Sequence, residues 1–514
     1  MQEKSRKALM GNGMAIAVLT ALAITLFMTS PTSGDFWWYD ASRHAFNGVF
    51  IRDFLLDGGL FNPVKFASEY YRKYPAVNIG FYPPLFYLTS APFLAVFGAN
   101  HAVSQAVVTL YALGGMTLAY FICVRHMDRL SAAAIAACVI TLPEMALWAR
   151  QVQLDIPAIT MLLATALALS RFLENGQTKW LYATTILLGL AVLTRVQALS
   201  VAPALLFFLL HPAYSRLASF KTRLISLVPL VILSLPSIAM FVYFSKINQS
   251  QVVQMQGMPS IASIANWVWY ASCLPEQMGW PALAVTLCGL AAALWMAVTK
   301  RLPATAVVLG MFCLSSWIFF TVVSNKEPRF NLPSVPFLFL FAAISLTRLS
   351  PRITRPVLAA LALWLAYQAV FAVKVPVVSG FQEAVDVVQA NTPPKGNVLI
   401  SAHRDGSFIY DMRTTGHRPD IGVRRADKLL VEISIHRQFG IKDQNLSAED
   451  LLALFKRENI TTIVAQNDYL KDQGTMQTFQ QLLDSGNYFK VVKTVQLSGA
   501  TRPDEKTLTV YTIR

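Results

Sequence analysis

The chain has 514 residues, of which 55% are apolar and only 14% are charged, whereas soluble domains carry about 25% charged residues. This composition excludes an ordinary soluble enzyme. Residues 1–374 contain 26 Lys and Arg against 12 Asp and Glu, and residues 375–514 contain 17 against 16, so nearly all of the net charge of +15 belongs to the first part. A basic excess there favours cytoplasmic loops and contacts with phosphate or anionic lipid, and it argues against nucleic-acid binding by the tail.

Eleven apolar segments of the first part are predicted to cross a bilayer. Lys4, Arg6 and Lys7 precede the first segment, which we interpret as a retained span and not a cleaved signal peptide, because many more spans follow. The predicted spans are Met14–Met28, Ala102–Val124, Ser131–Trp148, Ile156–Phe172, Trp180–Leu193, Val196–Leu210, Leu224–Phe244, Ala282–Val298, Pro303–Val323, Pro333–Leu346 and Pro356–Val373.

The segment Pro83–Phe97 decides the topology, because it is short and interrupted by Pro92. If it crossed the bilayer, the short basic loops that follow would lie opposite the basic N-terminus. If it is an interfacial helix, each of those loops joins the N-terminus in the cytoplasm, as the positive-inside rule requires. We therefore predict that the first outer loop, 31–101, the outer loop 245–281 and the tail are extracytoplasmic.

Residues 375–514 are predicted to form a separate soluble α/β domain after a boundary turn at 391–396. A helix over Leu446–Glu458 begins at Ser447, with Asp450 three residues on as in a capping box. The predicted strands are Asn397–Ala402, Thr461–Gln466, Tyr488–Leu497 and Thr507–Ile513. The fold class is thus a polytopic α-helical membrane protein of about 11 spans, with interfacial helices in the first outer loop and a C-terminal soluble α/β domain.

The first outer loop begins with the motif Trp37-Trp-Tyr-Asp-Ala-Ser-Arg-His44. If Phe46–Leu56 continues as an amphipathic helix, Asp40 lies at its N-terminal end, where a carboxylate is favoured as a cap. The same carboxylate could equally serve catalysis. Arg43, one turn on, could pair with Asp40 or contact a phosphate.

Two further outer turns carry ionisable side chains at the edges of predicted spans. Asp155 precedes Pro157 at the start of a span, which fits either a helix N-cap or a functional carboxylate. Lys326 and Arg329 lie in the turn 324–332, where they could anchor to lipid headgroups or bind a phosphate or pyrophosphate.

The cysteines and the tail histidines carry no site. The five cysteines occur singly, so neither a disulfide framework nor a zinc site is predicted. His403, His417 and His436 lack metal-ligand spacing and are expected to be ordinary histidines.

The order of these pieces resembles the GT-C class of membrane glycosyltransferases, especially the branch that contains the lipid A aminoarabinose transferase and the protein O-mannosyltransferases. The resemblance covers roughly residues 30–340. Five short motifs in the same order carry it, namely Asp40 with Arg43, Pro83-Pro-Leu, Asp155, Thr194-Arg195, and Lys326 through Arg329-Phe-Asn-Leu-Pro333. The chain departs from the family pattern at Ala41, Tyr82, Arg195 and Phe330, where Glu, Lys or His, Lys and Tyr are usual.

The resemblance implies inverting transfer of a sugar from a polyprenyl-phosphate donor to a hydroxyl of a lipid, glycan or protein acceptor. A lipid phosphate leaves readily at neutral pH, so the site needs cations to hold it, while the acceptor hydroxyl needs a carboxylate to take its proton. Asp40 is the expected base and Asp155 the supporting carboxylate. The expected donor-phosphate ligands are Arg43, Arg195, Lys326 and Arg329, and the expected substrate-cavity residues are Tyr82 and His44.

The resemblance leaves the sugar, the acceptor and any divalent cation open, and no metal ligand or nucleic-acid partner is predicted. The expected location is the plasma (inner) membrane, with a cytoplasmic N-terminus. A transporter or lipid flippase is the alternative, disfavoured because the charges gather at one membrane face and not at mid-span. A receptor or scaffold that uses the tail would leave the ordered motifs unexplained.

Overall fold

The computed structural model describes residues 2–244, 257–433 and 440–514. Seven of its helices are long and apolar enough to cross a membrane, namely Met10–Met28, His101–Cys123, Asp155–Asn175, Phe220–Tyr243, Trp280–Val298, Ala304–Val322 and Pro351–Ala372. Four shorter apolar helices, at Arg129–Thr141, Thr178–Thr194, Val196–Leu210 and Ser334–Leu349, coincide with the remaining predicted spans. The chain is a polytopic helical membrane protein, and the number of spans stays a prediction.

The helices of the first 374 residues are mostly apolar around their whole circumference, as membrane helices are. In chain order they are α1 Gln2–Met28, α2 Tyr39–Leu56, α3 Pro63–Lys73, α4 Leu85–Phe97, α5 His101–Cys123, α6 Arg129–Thr141, α7 Pro143–Trp148, α8 Asp155–Asn175, α9 Thr178–Thr194, α10 Ala202–Leu210, α11 Phe220–Ile225, α12 Leu227–Tyr243, α13 Ile264–Met278, α14 Trp280–Val298, α15 Ala304–Val322, α16 Ser334–Leu349 and α17 Pro351–Tyr367. Short 3₁₀ turns lie at Val196–Val201, Pro212–Leu217 and Pro328–Asn331, and a π turn lies at Gln368–Ala372.

The span predicted over Ser131–Trp148 is two helices. Leu142 has an extended backbone, φ −52° and ψ 138°, because the residue before a proline avoids the helical region. Pro143 then opens α7, where its missing N–H costs nothing. The break places the polar start of α7, including Glu144, after the end of the apolar helix α6.

The first outer loop contains three helices, α2 to α4. The helix predicted from Phe46 begins seven residues earlier, at Tyr39, and α3 was not predicted. The predicted interfacial segment forms α4, over Leu85–Phe97. Of the predicted outer loop 245–281, residues 245–256 lie outside the described part of the chain.

The tail contains a mixed five-stranded sheet in the order β3-β2-β6-β9-β7. Strands β2, β3 and β6 are parallel, and β9 and β7 are antiparallel neighbours on one side. The strands are β1 Val378–Ser379, β2 Asn397–Ser401, β3 Gly422–Arg425, β4 Val431–Ile433, β5 Ile441–Asp443, β6 Ile460–Ala465, β7 Phe489–Gln496, β8 Ser498–Gly499 and β9 Thr507–Ile513. The α/β prediction for the tail is confirmed.

Five helices accompany this sheet, namely α18 Phe381–Asn391, α19 Asp405–Thr414, α20 Ala426–Leu429, α21 Ala448–Arg457 and α22 Gly474–Asp484. The predicted capping box is present, because the Ser447 side chain accepts from the Asp450 N–H while Asp450 accepts from the Ser447 N–H. The buried faces of α21 and α22 pack on the sheet around Phe455, Phe479 and Phe489.

The chain forms two compact units. We call the first the membrane unit; it comprises residues 1–30, 80–86 and 106–375. The second, the outer unit, comprises residues 31–79, 87–105 and 376–514. The boundary at 375 adjoins the predicted boundary at 374, but most of the first outer loop, which we had assigned to the membrane domain, packs with the tail.

Candidate active site

Asp40, Arg43 and His44 belong to the outer unit, and the other predicted site residues belong to the membrane unit, so each set is described within its own unit. Asp40 is the second residue of α2 and is half-buried. Trp38 is the N-cap, and no side chain caps the helix. The capping interpretation of Asp40 is therefore wrong.

Arg43 donates to Asp405 at the start of α19, with Nη2 to Oδ1 at 2.9 Å. Asp405 also pairs with Arg425 at 2.5 Å, and Arg425 pairs in turn with Asp427 at 2.6 Å. Burial by itself raises the pKa of the Asp405 carboxyl, but Arg425 and Arg43 together hold that pKa below its ordinary value. Arg43 thus joins α2 to the tail, and its contact with a donor phosphate stays a prediction.

His44 lies in the interior of the outer unit, with an exposed fraction of only 2%. Its Nδ1 is 2.9 Å from the hydroxyl of Tyr87 on α4, and the two rings are stacked. This burial places His44 at the contact between α2 and α4, so the structure gives no support to a cavity-lining role. Tyr82 is half-buried in the membrane unit, edge-on to Phe81.

Asp155 is the first residue of α8, and Leu154 is the N-cap, so the capping interpretation is wrong here too. The Asp155 carboxylate forms an ion pair with Arg195, which directly follows α9. Asp155 is almost fully buried, whereas the Arg195 side chain keeps 13% of its surface exposed. A buried carboxylate that fixes a partly accessible guanidinium is suited to orienting that cation toward an anion.

Lys326 is buried at the end of α15, where its ammonium donates to main-chain carbonyls. Nζ lies 2.9 Å from the carbonyl of Thr321 and 3.1 Å from that of Val323, and it lies 5.2 Å from the centre of the Tyr270 ring. Burial lowers the pKa of Lys326 below its ordinary value. These contacts are those of a helix C-cap, so the structure gives Lys326 a role in holding the turn that carries Arg329.

Arg329 lies on the 3₁₀ turn Pro328–Asn331 and keeps 12% of its side-chain surface exposed. Its Nε donates to Glu327 at 2.9 Å, and its guanidinium lies 5.3 Å from the centre of the Trp148 ring. The guanidinium plane is thus positioned by an aromatic face and a carboxylate. This arrangement fits a cation held ready for a phosphate.

The sequence interpretation missed Glu144 and Gln277. Glu144, on α7, accepts from Trp148 Nε1 at 3.3 Å and interacts electrostatically with Asp155 and Arg329. Gln277, on α13, donates to the Pro328 carbonyl at 2.7 Å and also interacts with Glu144. A single Glu inside an apolar predicted span was the signal that could have identified this position.

These contacts gather four of the predicted or newly found groups into one polar cluster of the membrane unit. Within the described residues, no three His, Cys, Asp or Glu side chains group in a way that could hold a metal ion. What the cluster offers is fixed cations beside carboxylates and aromatic faces, a combination that can bind a phosphate and a polyhydroxylated group next to it.

Residues 82–241 match the model of the dolichyl-phosphate-mannose-protein mannosyltransferase family. No curated protein sequence matches the chain.

Several solved structures share the fold over nearly the whole chain. ArnT from Cupriavidus metallidurans bound to undecaprenyl phosphate is 14% identical, with a TM-score of 0.64 over 96% of this chain and 97% of that one. The oligosaccharyltransferase AglB from Archaeoglobus fulgidus, in complex with an inhibitory peptide and a dolichol-phosphate, is 11% identical, with a TM-score of 0.52 over 95% of this chain and 74% of that one. The arabinofuranosyltransferase AftD from Mycobacteria is 14% identical, with a TM-score of 0.54 over 97% of this chain and 40% of that one. The fold and the family match together place this chain among the membrane glycosyltransferases of the GT-C class.

Proposed function

We propose that the protein transfers a sugar from a polyprenyl-phosphate donor to an acceptor hydroxyl at the outer face of the plasma membrane, with inversion at the anomeric carbon. The observation that carries the proposal is the polar cluster of the membrane unit, where Arg195 and Arg329 are held by Asp155, Glu327 and Trp148. Undecaprenyl phosphate in ArnT and dolichol-phosphate in AglB support a lipid of this class.

The leaving group sets the first requirement of the reaction. When the bond from the anomeric carbon to the phosphate oxygen breaks, the phosphate gains negative charge, which fixed guanidinium groups stabilise. Arg195 and Arg329 serve this role, Asp155 orients Arg195, and Lys326 holds the turn of Arg329. Arg43 stays a candidate phosphate ligand with its carboxylate partner already in place.

The acceptor sets the second requirement. As its oxygen bonds to the anomeric carbon, the hydroxyl proton must move to a base, and a carboxylate is the expected acceptor. We assign this role to Asp40, because it is not used as a helix cap and its helix is fixed through Arg43.

The test is turnover of radiolabelled polyprenyl-phosphate sugars by the purified protein in proteoliposomes. Loss of label from the lipid donor, with its appearance on an acceptor, is the expected result. Movement of the intact labelled lipid between leaflets without transfer would favour the flippase alternative. Neither transfer nor movement across a panel of donors would contradict both functions.

A further inference from the structure

Glu144 has one carboxylate oxygen with no donor. Its Oε1 accepts from Trp148 Nε1, but its Oε2 is fully buried and no group in the described part of the chain donates to it. A buried acceptor without a partner costs free energy, so most such atoms in proteins are paired with protein, water or ligand.

Gln277 presents a second acceptor of the same kind. Its Nε2 donates to the Pro328 carbonyl at 2.7 Å, which fixes the orientation of the amide. The Oε1 atom is therefore committed as an acceptor, and it is buried with no donor among the described residues. Because the Glu144 and Gln277 side chains also interact with each other, two acceptors lie together and lack a donor.

A neighbouring hydroxyl completes the chemistry of this pair. The Tyr270 hydroxyl is buried with no partner among residues 257–433 or elsewhere in the described chain, and Glu144 acts electrostatically on it. An alcohol group both donates and accepts, so one ligand hydroxyl could donate to an acceptor of this pair and accept from a donor such as Tyr270. A set of acceptors with one adjacent donor is typical of a site that recognises hydroxyl groups.

The position of these groups connects them to the phosphate-binding cations. Trp148 donates to Glu144 from its ring nitrogen, while its ring face lies 5.3 Å from the Arg329 guanidinium. Glu144 therefore lies beside the cation that we assign to the donor phosphate. In a polyprenyl-phosphate sugar, the hydroxyl-bearing ring is likewise attached directly to the phosphate.

We propose that Glu144 and Gln277 bind a hydroxyl group of the donor sugar and select the sugar-bearing lipid over the bare lipid phosphate. The inference rests on the proposed function, since it assigns the sugar part of the same donor. Trp148 is the positioning residue, because it holds the Glu144 carboxyl in place.

The experiment compares binding of undecaprenyl phosphate with binding of undecaprenyl-phosphate sugars from a panel of hexoses and pentoses. Glu144→Gln keeps the side-chain shape but supplies its own N–H to Gln277 Oε1, so the sugar loses its partner. The expected result is a loss of roughly 10- to 100-fold in affinity for the preferred sugar-bearing lipid. Affinity for bare undecaprenyl phosphate should stay within about twofold.

Two further variants make the result specific. Gln277→Met keeps the length of the side chain and removes its acceptor, so it should cause the same selective loss. Glu276→Gln removes a carboxylate from the adjacent, exposed position of α13 and should change neither affinity.

Each outcome bears on a different claim. If the wild type binds bare undecaprenyl phosphate but prefers no sugar-bearing form, or if Glu144→Gln leaves the preference intact, the sugar site is refuted while the lipid-phosphate site stands. If the wild type binds neither class of lipid, the proposed function itself fails.

Discussion

Asp40 and Asp155 are both carboxylates at the starts of helices, yet neither is a cap, and their surroundings differ. Asp155 is committed to Arg195, whereas Asp40 lies on a helix whose neighbouring Arg43 is committed to Asp405. A carboxylate already paired with a cation is a weaker base. This contrast supports Asp40 as the base and Asp155 as the residue that orients Arg195.

Asp40→Asn should leave thermal stability and donor binding nearly unchanged while turnover falls about 100-fold or more, because an amide cannot accept the acceptor proton. Asp155→Asn should instead weaken donor binding, because Arg195 loses its charged partner. Turnover and lipid binding measured on both purified variants check this division. Normal turnover in Asp40→Asn would move the base to Asp155.

Arg329→Ala should weaken donor binding by about 1.5 to 3 kcal/mol, or roughly 10- to 150-fold, because a charge-assisted contact to phosphate is lost. Arg329→Lys should rescue only part of this loss, since an ammonium lacks the planar fork. Lys326→Met is the contrasting variant, expected to lower thermal stability more than donor affinity, because the carbonyls at the end of α15 lose their donor. An unchanged donor affinity in Arg329→Ala would make that residue a headgroup anchor.

Asp411 of α19 forms a buried carboxyl pair with Asp35, which also accepts from the Phe381 N–H at 3.0 Å. Burial, the charge and hydrogen bond of Asp35, and the charge of Asp386 raise the pKa of Asp411 well above its ordinary value, although Arg404 favours the ionised form of Asp35. A carboxyl whose pKa is raised on folding binds more protons in the folded state. The free energy of unfolding therefore falls as the pH rises from the ordinary carboxyl pKa of about 4 through the folded pKa.

Asp411→Asn should consequently raise the apparent Tm at neutral pH, because an amide resembles the protonated carboxyl. The difference from wild type should shrink as the pH falls toward the ordinary carboxyl value. Thermal unfolding followed by tryptophan fluorescence across this pH range checks the sign. A lower Tm at neutral pH would show that the ionised pair stabilises the fold.

At the scale of elements, α2 is held along its length by tail side chains. Arg404 pairs with Glu505 at 2.8 Å and donates to the Trp37 carbonyl just before the helix, while Asp53 near its end pairs with Arg413 at 2.9 Å. Gly406 allows close approach, since a Cβ there would lie 2.5 Å from the Ser42 hydroxyl. The tail therefore fixes the helix that carries Asp40.

Asp405→Ala should destabilise the outer unit by about 3 to 5 kcal/mol, because Arg43 and Arg425 lose a buried partner. Turnover should fall with it, since α2 is no longer held. Asp420→Asn, which removes one partner of an exposed ion pair with Arg418, is the control and should leave the apparent Tm nearly unchanged. Equal stability of the two variants would mean that the Arg43 network does not hold α2.

Local signals predicted the elements well and the tertiary contacts poorly. The alternating strands of the tail and the Ser447 capping box were readable because the residues that decide them are neighbours in the chain. The pairing of Arg43 with Asp405 was not, because the partners are 362 positions apart and no local pattern joins them. The break at Pro143 shows that hydropathy can merge two helices when an apolar run continues across a proline.

For the whole molecule, the proposed topology requires the tail to be extracytoplasmic. A cysteine at Gln477, which is exposed on α22, should react with a membrane-impermeant maleimide in intact spheroplasts of a strain producing the otherwise cysteine-free protein. A cysteine at Ser215, exposed in a predicted cytoplasmic loop, should react only after lysis. The reverse labelling pattern would overturn the orientation and the outer position of the active site.

The carboxyl ends of β2 and β3 are the edge at which open parallel sheets usually bind a small ligand. Here Asp405 and Arg425 stand at that edge and receive Arg43 of the same chain. The ancestral ligand crevice has in effect taken a helix as its resident. Loop and tail are thus a lock and its key, so a chimera that exchanges the tail alone would separate them, and only a transplant of both segments together should give a working enzyme.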